Sequence, residues 1–324
     1  MKAAMCVEWG PPERLLVGEI PAPQPKAGEI RIKIGAAGVN FPDALIVQKK
    51  YQMQPPLPFI PGTEVAGTVD AIGEGVSHLK QGDRVVAMTG LGGFAEYVCV
   101  AAANAAPLPP GIADDVAAAF TLTYATSHHA LFDRGGLKAG ETLLVLGAAG
   151  GVGLAAIELG KLAGARVIAA ASTDEKLAIC QAHGADSLIN YSTLDLREAV
   201  KTMTEGKGAD VIYDPVGGAY TEAALRSLAW RGRLLVIGFA NGEIPKIAAN
   251  LLLLKGASAM GVFWGDFARR EPKSNQKMMI ELATWLTQGK LKPHISQVLP
   301  LARTAEALRL LLERRVVGKL VIRP

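Results

Sequence analysis

The run Leu143-Leu144-Val145-Leu146-Gly147-Ala148-Ala149-Gly150-Gly151-Val152-Gly153 carries the most specific chemistry in this 324-residue chain. It reads as a short apolar strand, a glycine turn, and a helix over about 154–162. That order directs backbone N–H groups at a dinucleotide pyrophosphate. Ala148 stands where the G-x-G-x-x-G pattern has its first glycine, followed by Gly150 and Gly153. Gly150 lets the backbone approach the pyrophosphate, and Gly153 lets the helix pack on the sheet. Ala149, Gly150, Gly151 and Val152 are the expected contacts. A second apolar run, Arg166-Val167-Ile168-Ala169-Ala170-Ala171, ends in Ser172 rather than in Asp or Glu. A carboxylate there would bind the ribose 2′-hydroxyl of NAD. Ser172, with Lys176 four residues on and Tyr191 further along, suits a 2′-phosphate, which rewards donors and fixed positive charge. Asp174 and Glu175 lie close by and could compete for Lys176. Together these residues predict NADPH as the cofactor.

The elements that must position this turn follow from pattern. Strands at 142–147, 166–171, 186–190, 210–214 and 233–238 alternate with helices at 152–163, 174–183, 195–204 and 218–230. Such alternation implies βαβ units and a parallel sheet. Gly184 and Gly232 read as helix stops. Gly238-Phe239 closes the fifth strand and Asp214-Pro215-Val216-Gly217-Gly218 the fourth, at the carboxyl edge where ligands bind in open α/β sheets. Upstream, 113–120 and 123–131 read as helices. Residues 1–100 are short strands punctuated by Gly and Pro, as in Ile30-Arg31-Ile32-Lys33-Ile34, an irregular β-domain. The tail, with a helix at 273–288, a strand at 297–300, a helix at 303–314 and a strand at 319–322, is expected to return to that β-domain and make it discontinuous.

Composition bounds the function classes. Half the residues are hydrophobic and a fifth charged, and the length suggests about two domains. A net charge of +4 without a basic run argues against a nucleic-acid partner. Cys6, Cys99 and Cys180 are odd in number and far apart, so neither a disulfide framework nor a zinc knuckle is expected. The start is too short for a signal h-region, and no apolar run reaches membrane-spanning length. A soluble cytoplasmic protein is expected.

Further segments run over nearly the whole length. They include Ala36-Ala37-Gly38-Val39-Asn40-Phe41-Pro42-Asp43, Pro61-Gly62-Thr63-Glu64-Val65-Ala66-Gly67, Gly93-Phe94-Ala95-Glu96-Tyr97, Leu122-Thr123-Tyr124-Ala125-Thr126, Tyr213-Asp214-Pro215-Val216-Gly217-Gly218 and Gly318-Lys319-Leu320-Val321. With the glycine turn they resemble the medium-chain dehydrogenase/reductase superfamily, in its zinc-free, zeta-crystallin-like NADPH:quinone oxidoreductase branch. The resemblance implies an α/β fold: a Rossmann-type NADPH-binding domain over 121–262 and a GroES-like catalytic domain from 1–120 and 263–324. It implies that Asn40 hydrogen-bonds near the nicotinamide ribose or the substrate carbonyl, and that Tyr51 lines the pocket and donates a proton. It also implies that Asp43 orients the active-site loop, that Thr126 is a nicotinamide-side contact, and that Lys319 contacts the cofactor.

The departures from zinc-bearing relatives matter equally. Asn40 and Thr63 stand where those relatives carry Cys and His ligands, and Cys99 is alone where a four-cysteine loop is expected. Zinc needs three or four N, S or O ligands, and Glu64 alone cannot hold it. The histidines at 78, 128, 129, 183 and 294 show no ligand spacing and read as structural. Without a Lewis acid, a conjugated acceptor that spreads the developing charge is favoured over a plain ketone. The expected reaction is hydride transfer from NADPH to a small quinone. The alternative is reduction of the C=C bond of an α,β-unsaturated carbonyl or acyl thioester, since Leu45 replaces a second tyrosine common in the family. An NADPH-binding structural or RNA-binding role is a third reading. The stretch Ala257-Ser258-Ala259-Met260-Gly261-Val262-Phe263 resembles an edge strand that pairs across a dimer axis, which implies a homodimer.

Overall fold

The computed structural model describes residues 1–324, and the chain divides into one unit of residues 1–122 with 293–324 and another of residues 123–292. The first unit runs β1 (Lys2–Met5), β2 (Leu16–Glu19), β3 (Glu29–Val39), α1 (Phe41–Val47), β4 (Glu64–Ile72), β5 (Arg84–Met88), β6 (Tyr97–Ala101), β7 (Ala105–Pro107) and α2 (Asp114–Ala118). α3 (Thr121–His128) leads into the second unit. There follow β8 (Thr142–Leu146), α4 (Gly151–Leu162), β9 (Arg166–Ala171), α5 (Asp174–Ala182), β10 (Ser187–Asn190), α6 (Leu196–Met203), β11 (Ala209–Asp214) and α7 (Ala219–Arg226). This unit ends with β12 (Leu228–Val236), α8 (Ala249–Lys255), β13 (Ser258–Gly261), α9 (Trp264–Arg270) and α10 (Pro272–Thr287). The chain returns to the first unit through β14 (Ile295–Pro300), α11 (Thr304–Leu312) and β15 (Lys319–Arg323).

In the first unit, β3 alternates buried and less buried side chains, as a strand with one face on a core should. It carries the sheet: β15 and β4 flank it in the order β14-β15-β3-β4-β5-β7, and β6 also pairs with it. β15 lies antiparallel to β3 with Leu320 opposite Val39. That register brings the final strand, from the far end of the chain, beside the Val39-Asn40 corner where α1 begins.

The second unit is a six-stranded sheet in the order β10-β9-β8-β11-β12-β13, every neighbouring pair parallel. β8 and β9 are apolar runs buried on both faces, the pattern of a parallel sheet covered by helices. α4 seats closely on β8 because its facing positions are small. A Cβ at Gly153 would lie 2.6 Å from the carbonyl oxygens of Gly147 and Ala148, and one at Gly160 would lie 2.7 Å from Leu143 Cδ2.

Three expectations are corrected. The helix expected over 218–230 ends at Arg226, and Gly232 lies inside β12 rather than after a helix. Leu228 already pairs with Ala209, and the extra residues before the next pair, Val211 with Arg233, form an irregularity with Arg231 at φ +60°. Sheet pairing there overrides an alanine-rich helical pattern. The helix expected over 123–131 is α3, which passes at His129 into a π-helical turn to Arg134. The second domain boundary falls at 292/293, not 262/263. Segment 263–292 belongs to the second unit because its aromatic residues pack there. Phe267 stacks on His129 at 4.2 Å, Trp285 lies 5.8 Å from His128, and Glu281 bonds His128 at 3.0 Å.

Gly153→Ala would force α4 away from the end of β8, because both close atoms are backbone. The expected loss is about 1–3 kcal/mol of stability, read as a lower thermal midpoint. Gly150→Ala would meet only Gly147 O at 3.3 Å and is expected to lose less. Equal midpoints for the two variants would contradict this account of the packing.

Candidate active site

In the second unit, the strand end and the helix start form one turn. Gly147 holds the positive φ, +55°, that the turn requires. The glycine pattern placed its first glycine at position 148, so the residue that bends the chain was missed by one. Ala148 is therefore free to be alanine; its N–H donates to Ala170 O of the neighbouring strand at 3.1 Å. Gly150 caps α4 with extended backbone and no side chain. The N–H groups of the first turn, from Gly151, Val152 and Gly153, have no acceptor within the helix, and they stand at its positive end. That is an anion site of the kind a pyrophosphate fills. Ser127, on α3, donates to Val152 O at 3.0 Å and bonds the buried Tyr213 hydroxyl at 2.9 Å. This anchor, not foreseen from sequence, ties α3, with Thr126 one residue before Ser127, to the first turn of α4.

β9 is adjacent to β8, so its carboxyl end opens beside the same turn. There Lys176 Nζ lies 3.3 Å from Ser172 Oγ, and the Ser172 carbonyl accepts from Ser192 Oγ at 2.9 Å. Thr173 caps α5 by accepting from the Lys176 N–H. The Asp174 carboxylate accepts from Asn190 Nδ2 at 2.8 Å, which ties it to β10. Tyr191 continues from β10, with its N–H on Ala171 O, and its ring packs on Tyr220 at 4.6 Å. Ser172, Lys176 and Tyr191 thus gather at one strand end.

At the ends of β11 and β12, Asp214 organises two loops. Its Oδ1 accepts from the Val216 and Gly217 N–H groups at 2.9 and 3.0 Å, and its Oδ2 from Thr221 Oγ1 at 2.6 Å. Its carbonyl accepts from Ile237 N–H, and Asn241 N–H donates to Val216 O. Gly238 and Phe239 lie on the loop so held, with Phe239 partly exposed. An Asp before Pro-x-Gly-Gly is a readable turn signal, though the sequence reading used only the backbone that follows it.

The first unit contains a buried polar cluster. Asn40, Asp43, Thr63, Glu64 and Lys319 are all buried. Asn40 caps α1, and its N–H donates to Asp43 Oδ2 at 2.8 Å, which fixes the loop–helix corner. Asn40 Nδ2 donates to Glu64 Oε2 at 3.1 Å and to Thr63 Oγ1 at 3.3 Å. Glu64 Oε1 accepts from Leu122 N–H at 2.9 Å. Lys319 Nζ donates to Val39 O at 3.0 Å and to Asn40 Oδ1, and lies 3.5 Å from Glu64 Oε2. Burial pushes the Asp43 carboxyl up to about 7, against the opposing pull of the Asn40 N–H and the Lys319 charge. Its Oδ1 is buried without a hydrogen-bond partner. Burial lowers the Lys319 ammonium, while Glu64 and Asp43 oppose the shift. Tyr51 is raised above the ordinary phenol value by burial and then by Asp43. An amide, a hydroxyl and one carboxylate already facing an ammonium do not fit a catalytic zinc, which needs three or four strong donors.

Two protein families match. Residues 26–110 match the alcohol dehydrogenase GroES-like domain and residues 151–284 the family described as zinc-binding dehydrogenase. The quinone oxidoreductase-like protein 2 homolog of Nematostella vectensis is 39% identical over 326 residues, 99% of this chain and 88% of the relative. The solved Escherichia coli quinone oxidoreductase complexed with NADPH is 32% identical, with a TM-score of 0.93 over 100% of both chains. The CurK enoyl reductase is 26% identical, with a TM-score of 0.89 over 99% of this chain and 98% of that one.

The raised Asp43 pKa makes a stability prediction. Between about pH 4 and pH 7 the unfolded chain loses the Asp43 proton while the folded chain keeps it. Stability therefore falls as pH rises through that window. Asp43→Asn keeps an acceptor for the Asn40 N–H and cannot ionise. The melting-temperature difference, variant minus parent, is expected to rise from pH 5 to pH 8. A difference that stays constant across those pH values would mean that Asp43 is ionised throughout.

Proposed function

The chain belongs to the quinone oxidoreductase branch of the medium-chain dehydrogenase/reductase superfamily, and from that premise we propose that it transfers a hydride from NADPH to a small quinone without a zinc ion. The observation that carries this reading is the Lys176–Ser172 contact at the end of β9, beside the open first turn of α4. The turn offers N–H donors to a pyrophosphate, and Lys176 with Ser172 offers charge and a hydroxyl to a 2′-phosphate. Thr126, Gly238 and Phe239 are assigned to the nicotinamide side. The reading places Asn40 beside the nicotinamide ribose or the substrate carbonyl, and on the acceptor side assigns hydrogen-bond donation to Tyr51. The raised pKa of Tyr51 keeps its phenol protonated at neutral pH. A quinone spreads incoming charge by conjugation, so donors of this kind suffice to stabilise it. Bound NADPH supplies the hydride itself.

Reduction of an activated C=C bond is the second reading. The CurK enoyl reductase shares the fold at 26% identity, and Leu45 removes a tyrosine from the place where a second phenol is common in the family. We further propose a homodimer joined through β13. This strand forms one edge of the parallel sheet, and Trp230, Leu253 and Leu254 are 71%, 78% and 68% exposed. An unpaired edge with apolar neighbours invites a second copy. No helix is long and apolar enough to cross a membrane. The three free cysteines suit a reducing compartment, and we place the protein in the cytoplasm.

NADPH oxidation against benzoquinone, naphthoquinone, an enal, an enone and an acryloyl thioester tests the reaction. Chelator-insensitive turnover with the quinones supports the first reading; turnover only with the other three supports the second. Inactivity with all five would defeat both. Lys176→Ala is expected to lose about 1.5–3 kcal/mol of NADPH binding, about ten- to a hundredfold in Kd, with NADH binding little changed. Equal losses for the two cofactors would remove the 2′-phosphate assignment. For the dimer, Leu253→Glu with Leu254→Glu is expected to halve the mass in solution; a monomeric parent chain would refute it.

A further inference from the structure

Lys319 was expected to touch the cofactor, yet its side chain is enclosed within the first unit, and the residue is only 5% exposed. Its Nζ faces three acceptors: Val39 O, Asn40 Oδ1 and Glu64 Oε2. An ammonium has three N–H donors and no acceptor, so the chain itself occupies all three. The approach depends on Gly318. This residue has φ +65°, and a Cβ there would lie 2.3 Å from His294 O.

The consequence falls on Asn40. A side-chain amide has one acceptor end and one donor end, and its orientation follows from its partners. The ammonium claims the oxygen. The amide nitrogen must then face Glu64 Oε2, Thr63 Oγ1 and Gly38 O, at 3.1, 3.3 and 3.4 Å. Glu64 is buried and held by Leu122 N–H from the other side, so it cannot swing away. Without the cation, the amide could flip and Glu64 would be a buried carboxylate lacking its counter-charge.

We propose that Lys319 is a positioning residue for the reductase reaction: its ammonium is the internal cation that fixes the Asn40 amide in one orientation against Glu64. This rests on the proposed role of Asn40 in NADPH-dependent reduction. Lys319 acts through Asn40, because the chain itself takes up its three N–H donors.

The test uses Lys319→Met, Lys319→Ala and the charge-balanced pair Lys319→Met with Glu64→Gln, each measured for NADPH Kd, kcat and folding. Misplacing a positioning group costs about a hundredfold in rate. Lys319→Met is expected to lose about that in kcat while its Kd changes less than about threefold. Ethylammonium or propylammonium is expected to restore kcat of Lys319→Ala saturably, and tetramethylammonium chloride is not. The charge-balanced double variant guards against failure to fold: it is expected to fold with low kcat. In cofactor-free protein labelled with ¹⁵N-asparagine, the Asn40 side-chain amide signals, identified by their loss in Asn40→Ala, are expected to shift or broaden in the double variant. A folded double variant with parental kcat and unchanged Asn40 signals would overturn the proposal. So would equal losses in Kd and kcat with no amine rescue. An inactive parent chain would instead defeat the reductase reading, and the Asn40 signals would still decide whether Lys319 orients the amide.

Discussion

A charged amine kept away from water must be fully paired, and the first unit is arranged around that requirement at Lys319. Its acceptors come from the end of β3 and the start of β4, and the lysine itself from the start of β15. Three segments, one of them from the far end of the chain, are thus held to a single geometry. Breaking one partner of such a buried pair typically costs about 3–5 kcal/mol. Two glycines make the geometry possible. Gly318 lets the strand turn inward, and Gly38 leaves room where a Cβ would lie 1.9 Å from Ala118 O and 3.0 Å from Glu64 Oε2. The discontinuity of this unit in sequence is thereby tied to its polar centre: β15 must lie against β3 for Lys319 to reach Asn40 and Glu64.

The same charge arithmetic accounts for Asp43. One ammonium faces two carboxylates, and at a buried site a net negative charge is costly. Glu64 has the ammonium, the Asn40 amide and the Leu122 N–H. Asp43 has the Asn40 N–H on Oδ2 and a smaller contribution from the Thr63 hydroxyl, while its Oδ1 has no hydrogen-bond partner. Burial pushes the Asp43 carboxyl up to about 7. Its work as a helix cap survives protonation, because the oxygen that accepts from Asn40 still has a lone pair.

Much of the second unit was legible in sequence because its signals are local. Parallel strands buried on both faces leave apolar runs such as 143–146 and 167–171, and the intervening helices have the right spacing. The Ser172–Lys176 contact was legible for the same reason: Ser172 ends the strand just before the cap of α5, and Lys176 lies in the first turn of that helix. Partners distant in sequence left no such trace. Lys319 and Glu64 are 255 residues apart, and neither position announces the other. The boundary at 292/293 depends on aromatic contacts of 267 and 285 with 128–132, which no local pattern records. The start of β12 is set by pairing with β11, and an alanine-rich stretch cannot reveal it. Gly147 was missed because the motif fixes spacing, whereas the turn is fixed by a dihedral angle.

These differences explain why the glycine turn and the buried polar cluster are unequally readable. In the second unit the positive potential comes from backbone, from N–H groups at the start of α4, and its position is dictated by where glycine permits a turn and a close approach. Such a site writes itself into sequence as a spacing of small residues. In the first unit the polarity comes from side chains whose orientation is decided by one another: Asn40 by Lys319, Lys319 by Glu64, Glu64 by Asn40 and Leu122 N–H. The residue types name the donors and acceptors available there. Which atom bonds which depends on the closed set, and only the assembled cluster determines it.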